Sequence, residues 1–483
     1  MKNENKLQNY FFAFSEKDWD QFGLFLNSPF FNKNPVFNHL FDYFNKNRSK
    51  EKPDRLWAQR VFSHVFPEAI FKDGRLRTLF WRMCKLVETY LAVSNLTNDK
   101  EAMETQLILA LGKQEEWFKL FEKEVKSKMK KDHQKAIEYP SLLQSVNLHH
   151  QLYFHEDYKK YSSGHVEIHQ LIEDLDQFIH LAKLKYHCEL LFRKQILKEE
   201  ESQPLLPDHL LEQLKISGLQ NEEPVISIYA QLIRMKETED WKFYVETKQN
   251  FELNRDKIDP EEQLDILSYL INFIIYLDKN RDNSLFDEML ELYQFGLSSG
   301  ILIMHNRISY ERFTNIAILG SIQKKFAWTD KFILDYQSFL KPAKSSLAIK
   351  LTRAYWNFHQ EKYEKVLDWT HEIDIYEDKP DNPFRLRALK LRAFYELYRQ
   401  DKTYRRLLYN FMSSFSKFIK DNRKLANQLA TAYLNFIRMT KLLLSIQNSA
   451  EFNEEKKQKF LSKMSNTHPL VLKKWLLEKI KEL

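Results

Sequence analysis

The sequence predicts an all-α protein that contains an α-solenoid of helical hairpins. One pattern recurs three times between Ser309 and Lys420: an apolar-striped helix with a small residue, a short polar break, an aromatic residue and a second striped helix. The small residues are Ala317, Ala354 and Ala393, which are 37 and 39 residues apart. A fixed period in this range is typical of stacked helical hairpins, because each unit packs mainly against its neighbours.

The residue composition supports the same fold class. The chain has only 8 glycines and 13 prolines among 483 residues, and 43% of its residues are hydrophobic. An α/β enzyme carries about 7% glycine for its turns and phosphate-binding loops. The scarcity of glycine therefore favours helices joined by short polar turns, and the apolar content excludes a mainly disordered chain.

Each polar break of the repeat is followed by an aromatic residue. These residues are Phe326, Tyr363 and Tyr404, which lie 9, 9 and 11 residues beyond the small residue. A small residue permits close packing of two helices, and an aromatic ring fills the turn between them. We therefore expect the alanines at close helix contacts and the aromatic residues where the second helices begin.

Helix start signals occur along the whole chain and suggest four segments. Ser15 followed by Asp18 resembles a capping box. Asp259 before Pro260 combines an N-cap with a proline at the first helical position. We expect an N-terminal helical domain at 1–97, a connecting region of long helices at 98–203, helical-hairpin repeats at 204–424 and C-terminal capping helices at 425–483. Within the connecting region the expected helices are 101–127, 140–160 and 163–200.

Net charge and cysteine content point to no specific partner. The chain has 74 basic and 67 acidic residues, which gives a net charge of +7 on a balanced surface. Two cysteines cannot form a disulfide framework. The N-terminal apolar run is too short for a secretory signal, and the most apolar internal stretch, 264–277, is too short to span a bilayer. We expect a soluble, cytoplasmic protein without a membrane partner.

Histidines are concentrated in the middle of the chain. Seven of the fifteen lie between 149 and 187, and His165 and His169 are spaced so that both could hold one metal ion on a helix face. The zinc-protease order H-E-x-x-H is absent, however, and Cys188 has no second cysteine near it in the sequence. Surface or partly buried histidines are the simpler interpretation, and no metal is expected.

A lysine-rich run lies between 123 and 135. It holds six lysines among thirteen residues, which could contact phosphates. It also contains Glu124 and Asp132 and lacks aromatic residues for base stacking. A solvated helix face is the simpler interpretation, and nucleic-acid binding is the alternative.

No catalytic motif is present in the sequence. The glycine-rich patterns of phosphate loops and dinucleotide sites and the G-x-S-x-G nucleophile motif are all missing. Carboxylates are spread along the chain, so no pair is singled out as acid and base. We expect no enzymatic activity and no cofactor, and an enzyme built on the histidine-rich stretch is the third hypothesis.

One hairpin resembles a tetratricopeptide unit. The resemblance rests on the pattern Leu351, Ala354, Tyr355, Phe358, Tyr363, Val366 and Leu367. The sequence departs from that family's motif because it lacks the glycine between the helices and has a longer period. If the geometry carries over, residues beside the alanines face a concave groove. The residues predicted to bind a partner there are Tyr355, His359, Phe394 and Tyr398.

The whole chain is also similar to a family of uncharacterised bacterial proteins. The similarity rests on FGLFLNSPFFNKN at 22–34, on ALKLRAFYELYRQDKTYRRLLYNFMSSFSKF at 388–418, on YLNFIR at 433–438 and on WLLEK at 475–479. It implies an all-helical repeat protein and no assigned activity. The sequence thus favours a non-catalytic scaffold or adaptor that binds a protein, as a peptide or a helix, in the groove of a solenoid.

Overall fold

The computed structural model describes residues 2–47, 56–132, 139–161, 165–197, 223–278, 285–371, 381–421, 427–448 and 454–483. Within these ranges the protein consists of helices and turns, and no β-strand is present. The predicted all-α class is therefore confirmed. No helix in the described ranges is both long and apolar enough to cross a membrane.

The described residues form 23 α-helices, numbered here in chain order. The first ten are α1 Lys2–Ala13, α2 Glu16–Asn27, α3 Val36–Lys46, α4 Trp57–Val65, α5 Asp73–Asn98, α6 Lys100–Leu111, α7 Phe118–Asp132, α8 Tyr139–Phe154, α9 Glu156–Tyr161 and α10 His165–Leu197. The next seven are α11 Pro224–Thr238, α12 Trp241–Asn254, α13 Pro260–Asp278, α14 Phe286–Ser298, α15 Tyr310–Ile322, α16 Phe326–Tyr336 and α17 Pro342–His359. The last six are α18 Tyr363–His371, α19 Asp381–Gln400, α20 Arg405–Asp421, α21 Asn427–Gln447, α22 Glu454–Ser465 and α23 Lys473–Lys481.

The chain divides into two compact units. The N-terminal unit comprises Met1–Gln134 and Ser145–Ile172, and the C-terminal unit comprises Lys135–Gln144 and Glu173–Leu483. The division falls inside the segment 98–203 that the sequence suggests as a connecting region. The segments predicted to begin at 204 and at 425 both lie in the C-terminal unit.

The first helices of the N-terminal unit follow their sequence signals. Ser15 caps α2, its hydroxyl oxygen accepts from the Asp18 amide at 3.2 Å, and an Asp18 carboxylate oxygen accepts from the Ser15 amide at 2.9 Å. This is the predicted capping box. The apolar stripe of α2 is buried with α1, α3, α4 and α5 in one core, where Phe11, Trp19 and Phe41 pack ring against ring.

The prediction of one helix over 101–127 is wrong. The structure ends α6 at Leu111 and starts α7 at Phe118 after a short 3-10 turn. Gly112 follows α6, and a Cβ atom there would lie 3.0 Å from the ring of Phe121. A glycine at this break therefore lets the α7 ring approach the backbone. The predicted helix over 140–160 is likewise divided, into α8 and α9. At the start of α9 the Asp157 amide donates to His155 Nδ1 at 3.3 Å.

Hairpins of the C-terminal unit share one turn geometry. A residue with left-handed backbone stands two positions before the aromatic residue that begins the second helix: Glu239 (φ 53°) before Trp241, Lys324 (φ 55°) before Phe326 and Glu361 (φ 62°) before Tyr363. The amide after the left-handed residue donates back into the first helix, from Lys325 to the Gly320 carbonyl at 2.9 Å and from Lys362 to the Asn357 carbonyl at 3.0 Å. The equivalent Tyr404 ends a 3-10 turn directly before α20.

The three alanines of the repeat lie where the helices meet. Ala317, Ala354 and Ala393 are each 0% exposed. The first helices of the hairpins pack against each other in sequence order, α15 on α17, α17 on α19 and α19 on α21, and each also contacts its own second helix. Small side chains at these positions allow the close approach that the pattern predicts.

Enlarging one of these alanines tests the close contact. We expect Ala354→Leu to lower the free energy of unfolding by about 1–3 kcal/mol, because added methyl groups force shifts in a well-packed core. Ala327→Leu is the matched control, since Ala327 is exposed on α16, and it should change stability by less than about 0.5 kcal/mol. Chemical denaturation followed by circular dichroism measures both variants, and equal effects would contradict the close contact.

A glycine in the hairpin turn should have the opposite effect. Glu361 adopts a left-handed backbone that costs an ordinary residue about 1–2 kcal/mol. Glu361→Gly is therefore expected to raise the free energy of unfolding by about 1 kcal/mol. Lys365→Gly, at an exposed helical position four residues later, should lower it by about 1 kcal/mol. A decrease for both variants in chemical denaturation would show that the turn is not strained.

Candidate functional site

A concave cleft of about 750 Å³, called here the main cleft, lies in the C-terminal unit. One side comes from the first helices of three successive hairpins: α15 contributes Ile318, α17 contributes Tyr355, and α19 contributes Ala388. Helix α23 forms the opposite side with Trp475. Ligand sites in proteins commonly enclose about 300–1,000 Å³, so the cleft is large enough for several side chains of a partner.

The structure brings two of the four predicted partner-binding residues to the main cleft. Tyr355 and His359, one turn apart on α17, both line it. Phe394 and Tyr398 do not line it and are buried in a neighbouring core. The Phe394 ring packs on that of Phe411 at 5.2 Å, and the Tyr398 hydroxyl donates to Asn448 Oδ1 at 2.6 Å.

The packing of helix α19 explains why Phe394 and Tyr398 do not line the cleft. This helix contacts α17, α18, α20 and α21, so nearly its whole circumference is covered. The side of α19 that faces the main cleft carries Arg385, Arg392 and Glu396 instead. Sequence reasoning missed these residues because it followed the aromatic residues beside the alanine. The available signal was a pair of charged residues, four apart, within the apolar run of α19.

Arg392 is the most unusual side chain of the main cleft. It is only 9% exposed, and its guanidinium carbon lies 4.2 Å from the ring centre of Phe358 and 5.7 Å from that of Trp475. Its Nε–H is buried without a hydrogen-bond partner. Within the described part of the chain, no carboxylate oxygen lies within 4.0 Å of its nitrogen atoms. Burial lowers the pKa of Arg392, but an arginine so placed stays charged at neutral pH.

The neighbouring carboxylate, Glu396, is committed to other cations. Its side chain is 7% exposed, and it accepts from Lys479 Nζ at 2.8 Å and from Arg399 Nη1 at 3.3 Å. Arg399 and Lys479 also pair with Glu482, just beyond α23. These ion pairs connect α19 to the C-terminal helix, and they use the carboxylate nearest to Arg392 in the sequence.

His359 is a neutral group in this charged surrounding. Burial is the main cause that lowers its pKa to about 3, and the positive charges of Arg392 and Lys324 contribute. Protonating His359 would place a further positive charge beside two cations in a poorly solvated position. The imidazole therefore presents uncharged nitrogen atoms to the cleft at neutral pH.

A second cleft of about 620 Å³, called here the apolar cleft, lies next to the main cleft. The two share Ile318, Ile322 and Lys474 in their linings. The remaining lining of the apolar cleft is mainly hydrophobic, with Ile275, Phe286, Met289, Tyr293, Leu319 and Leu477. Its chemistry suits apolar side chains, whereas the main cleft combines aromatic rings with charges.

Two other stretches were noted in the sequence, the lysine-rich run and the histidine-rich stretch. In the lysine-rich run, Lys126 pairs with Glu122 at 2.8 Å and Lys131 pairs with Glu104 at 2.8 Å. The end of this run lies outside the described residues. In the histidine-rich stretch, burial lowers the pKa of His180. Nowhere in the described ranges do three or more His, Cys, Asp or Glu side chains meet so that they could hold a metal ion.

Comparisons with known protein families, with curated proteins and with solved structures each found no match for this chain. The resemblance to the uncharacterised bacterial family therefore stays an expectation from the sequence.

The depressed pKa of His359 predicts a pH-dependent stability. A histidine whose folded pKa lies below its ordinary value of 6.5 contributes stability above pH 6.5, and this is lost as the pH falls toward 3. Between pH 7 and pH 5 the loss amounts to about 2 kcal/mol. His359→Gln should remove this part of the pH dependence of the free energy of unfolding.

The control is His371→Gln, because His371 is an exposed histidine at the end of α18. Its stability should stay within about 0.5 kcal/mol of the wild type at both pH values. Denaturant titrations at pH 7 and pH 5 measure all three proteins. An unchanged pH dependence in His359→Gln would refute the burial of a neutral imidazole.

Proposed function

We propose that the hairpins of the C-terminal unit form a divergent tetratricopeptide-like α-solenoid, and that the chain is a non-catalytic scaffold. Its ligand is a peptide segment of another protein, extended or helical, which binds in the main cleft. The observation that carries the proposal is the origin of the cleft wall: α15, α17 and α19, the first helices of three successive hairpins, all contribute to it. First helices line the concave side in such repeat proteins.

The side chains of the cleft suit a protein ligand. Tyr355, Phe358, Tyr363 and Trp475 present aromatic surface, and charged groups stand among them. Aromatic residues and arginine are the residue types that most often dominate binding energy at protein interfaces. The neighbouring apolar cleft extends this surface with hydrophobic side chains, as expected for a groove that receives alternate side chains of a peptide.

The alternative function, nucleic-acid binding, has less support. It requires basic side chains that are free to meet phosphates along a continuous stripe. In the described part of the lysine-rich run, Lys126 and Lys131 are paired with carboxylates, and Lys128 is 1% exposed. The lining of the main cleft mixes glutamates with its cations. A protein ligand is therefore the better proposal.

Selection from a random dodecapeptide library on the full-length chain tests the proposal. We expect peptides to be enriched, and Tyr355→Ala to weaken their binding about tenfold, because truncating a central interface aromatic costs more than about 1 kcal/mol. Fluorescence anisotropy with labelled peptides measures the affinity. Circular dichroism establishes that the variant is folded.

Tyr409→Ala is the matched control, since Tyr409 is 37% exposed on α20 and does not line the cleft. It should bind the enriched peptides as the wild type does. If no peptide is enriched, or if Tyr355→Ala and Tyr409→Ala bind equally well, the main cleft is not a peptide site.

A further inference from the structure

We propose that the main cleft recognises an acidic side chain, and that Arg392 is the residue that receives its carboxylate. This inference rests on the proposed function, because it names the chemistry of the peptide that binds there. The occupant is a segment of another protein with an aspartate or glutamate for the main cleft and an apolar side chain for the apolar cleft.

Arg392 has no partner for its buried Nε–H in the described part of the chain. A buried charge is normally paired, because removing it from water is costly unless hydrogen bonds and an opposite charge replace the lost solvation. Arg392 is about nine-tenths buried and its Nε–H has no partner. Contacts with the rings of Phe358 and Trp475 support the cation, but they do not accept its hydrogen bonds. An anion in the cleft would.

Two other arginines show the usual arrangement. Arg353, on the first helix of the preceding hairpin, lies 5.4 Å from the ring centre of Trp356 and is paired with Asp330. Arg399 is paired with Glu396 and Glu482. Both are paired with a carboxylate of this chain. Arg392 has the aromatic contacts, and the charges of Glu396 and Glu478 act on it, but no carboxylate of the described residues lies at ion-pair distance, so the position corresponds to one half of an ion pair.

The neighbouring side chains do not supply the carboxylate that Arg392 lacks, so a ligand can supply it. The Glu396 carboxylate binds Lys479 and Arg399. The His359 imidazole is neutral and close enough to Arg392 and Lys324 for their charges to lower its pKa. A carboxylate placed between these two cations would be attracted by both and could also accept a hydrogen bond from His359.

A carboxylate fits better than a phosphate group. Four glutamates, Glu361, Glu396, Glu478 and Glu482, line the same cleft. Their negative charge opposes a doubly charged phosphate more strongly than a singly charged carboxylate. A guanidinium group also matches the planar carboxylate with two parallel hydrogen bonds. The apolar cleft beside it can receive the apolar side chain of the same peptide.

The test uses two synthetic dodecapeptide libraries with amidated C-termini and the full-length chain. One library omits Asp and Glu, and the other omits Lys and Arg. We expect binders that depend on Tyr355 from the second library only. A selected peptide and its Glu→Gln or Asp→Asn version should differ at least tenfold in affinity for the wild type, and Arg392→Met should remove that difference.

Arg353→Met is the matched control, because it replaces an arginine that has a partner and lies outside the cleft. It should lower the melting temperature and leave peptide binding unchanged. Arg392→Met should keep or raise the melting temperature, since it removes a buried charge without an ion pair. This opposite behaviour separates loss of recognition from loss of folding.

The outcomes distinguish the two proposals. Peptides that bind through Tyr355 without preference for an acid, or an Arg392→Met variant that still prefers the acidic version, would overturn the role of Arg392 and leave the peptide site intact. Tighter binding of a phosphoserine version than of the glutamate version would show that the cleft recognises a phosphate and not a carboxylate. Failure of both libraries would overturn the peptide site and this inference together.

Discussion

Close contact between successive helices at buried alanines is the constraint on which the C-terminal unit depends. Ala317, Ala354 and Ala393 are fully buried on the first helices of three hairpins, and these helices pack against one another in sequence order. Because these helices stand side by side, their adjacent faces combine into one wall, and that wall becomes the main cleft. Larger residues at these positions would separate the helices and with them the side chains that the cleft brings together.

The turns that join the helices of each hairpin are formed with little glycine. Lys324 and Glu361 adopt the left-handed conformation that glycine usually supplies. The hydrogen bonds from Lys325 and Lys362 back into the first helices hold these turns. The aromatic residue two positions later starts the second helix. Lys324 and Glu361 both line the main cleft, so the turns that join the helices also place two charged side chains there.

Charged residues inside the unit have two distinct roles. Glu396, Arg399 and Lys479 neutralise one another and join α19 to α23, so they are explained by the fold. Arg392 lies on the same helix, one turn before Glu396, and is not explained in this way. The proposed carboxylate of a bound peptide would complete its environment, and the fold alone leaves that environment incomplete.

Local sequence signals determined the helical class, the capping box at Ser15, the turn positions before Phe326 and Tyr363, and the burial of the repeat alanines. They could do so because caps, stripes and small residues act over a few neighbouring positions. The break at Gly112 escaped this reasoning, since an isolated glycine within a helical pattern is usually tolerated and its role here depends on the ring of Phe121.

Tertiary structure alone decided which side chains form the cleft. Tyr355 and His359 could be placed there from the repeat pattern, but Phe394 and Tyr398 occupy equivalent sequence positions and are buried, because α20 and α21 cover that side of α19. The presence of Trp475 on the opposite side of the cleft depends on where α23 packs, because Trp475 lies 120 residues after Tyr355 in the chain. Whether a charge such as Arg392 has a partner is a question of distances between helices, and periodicity along the sequence carries no information about it.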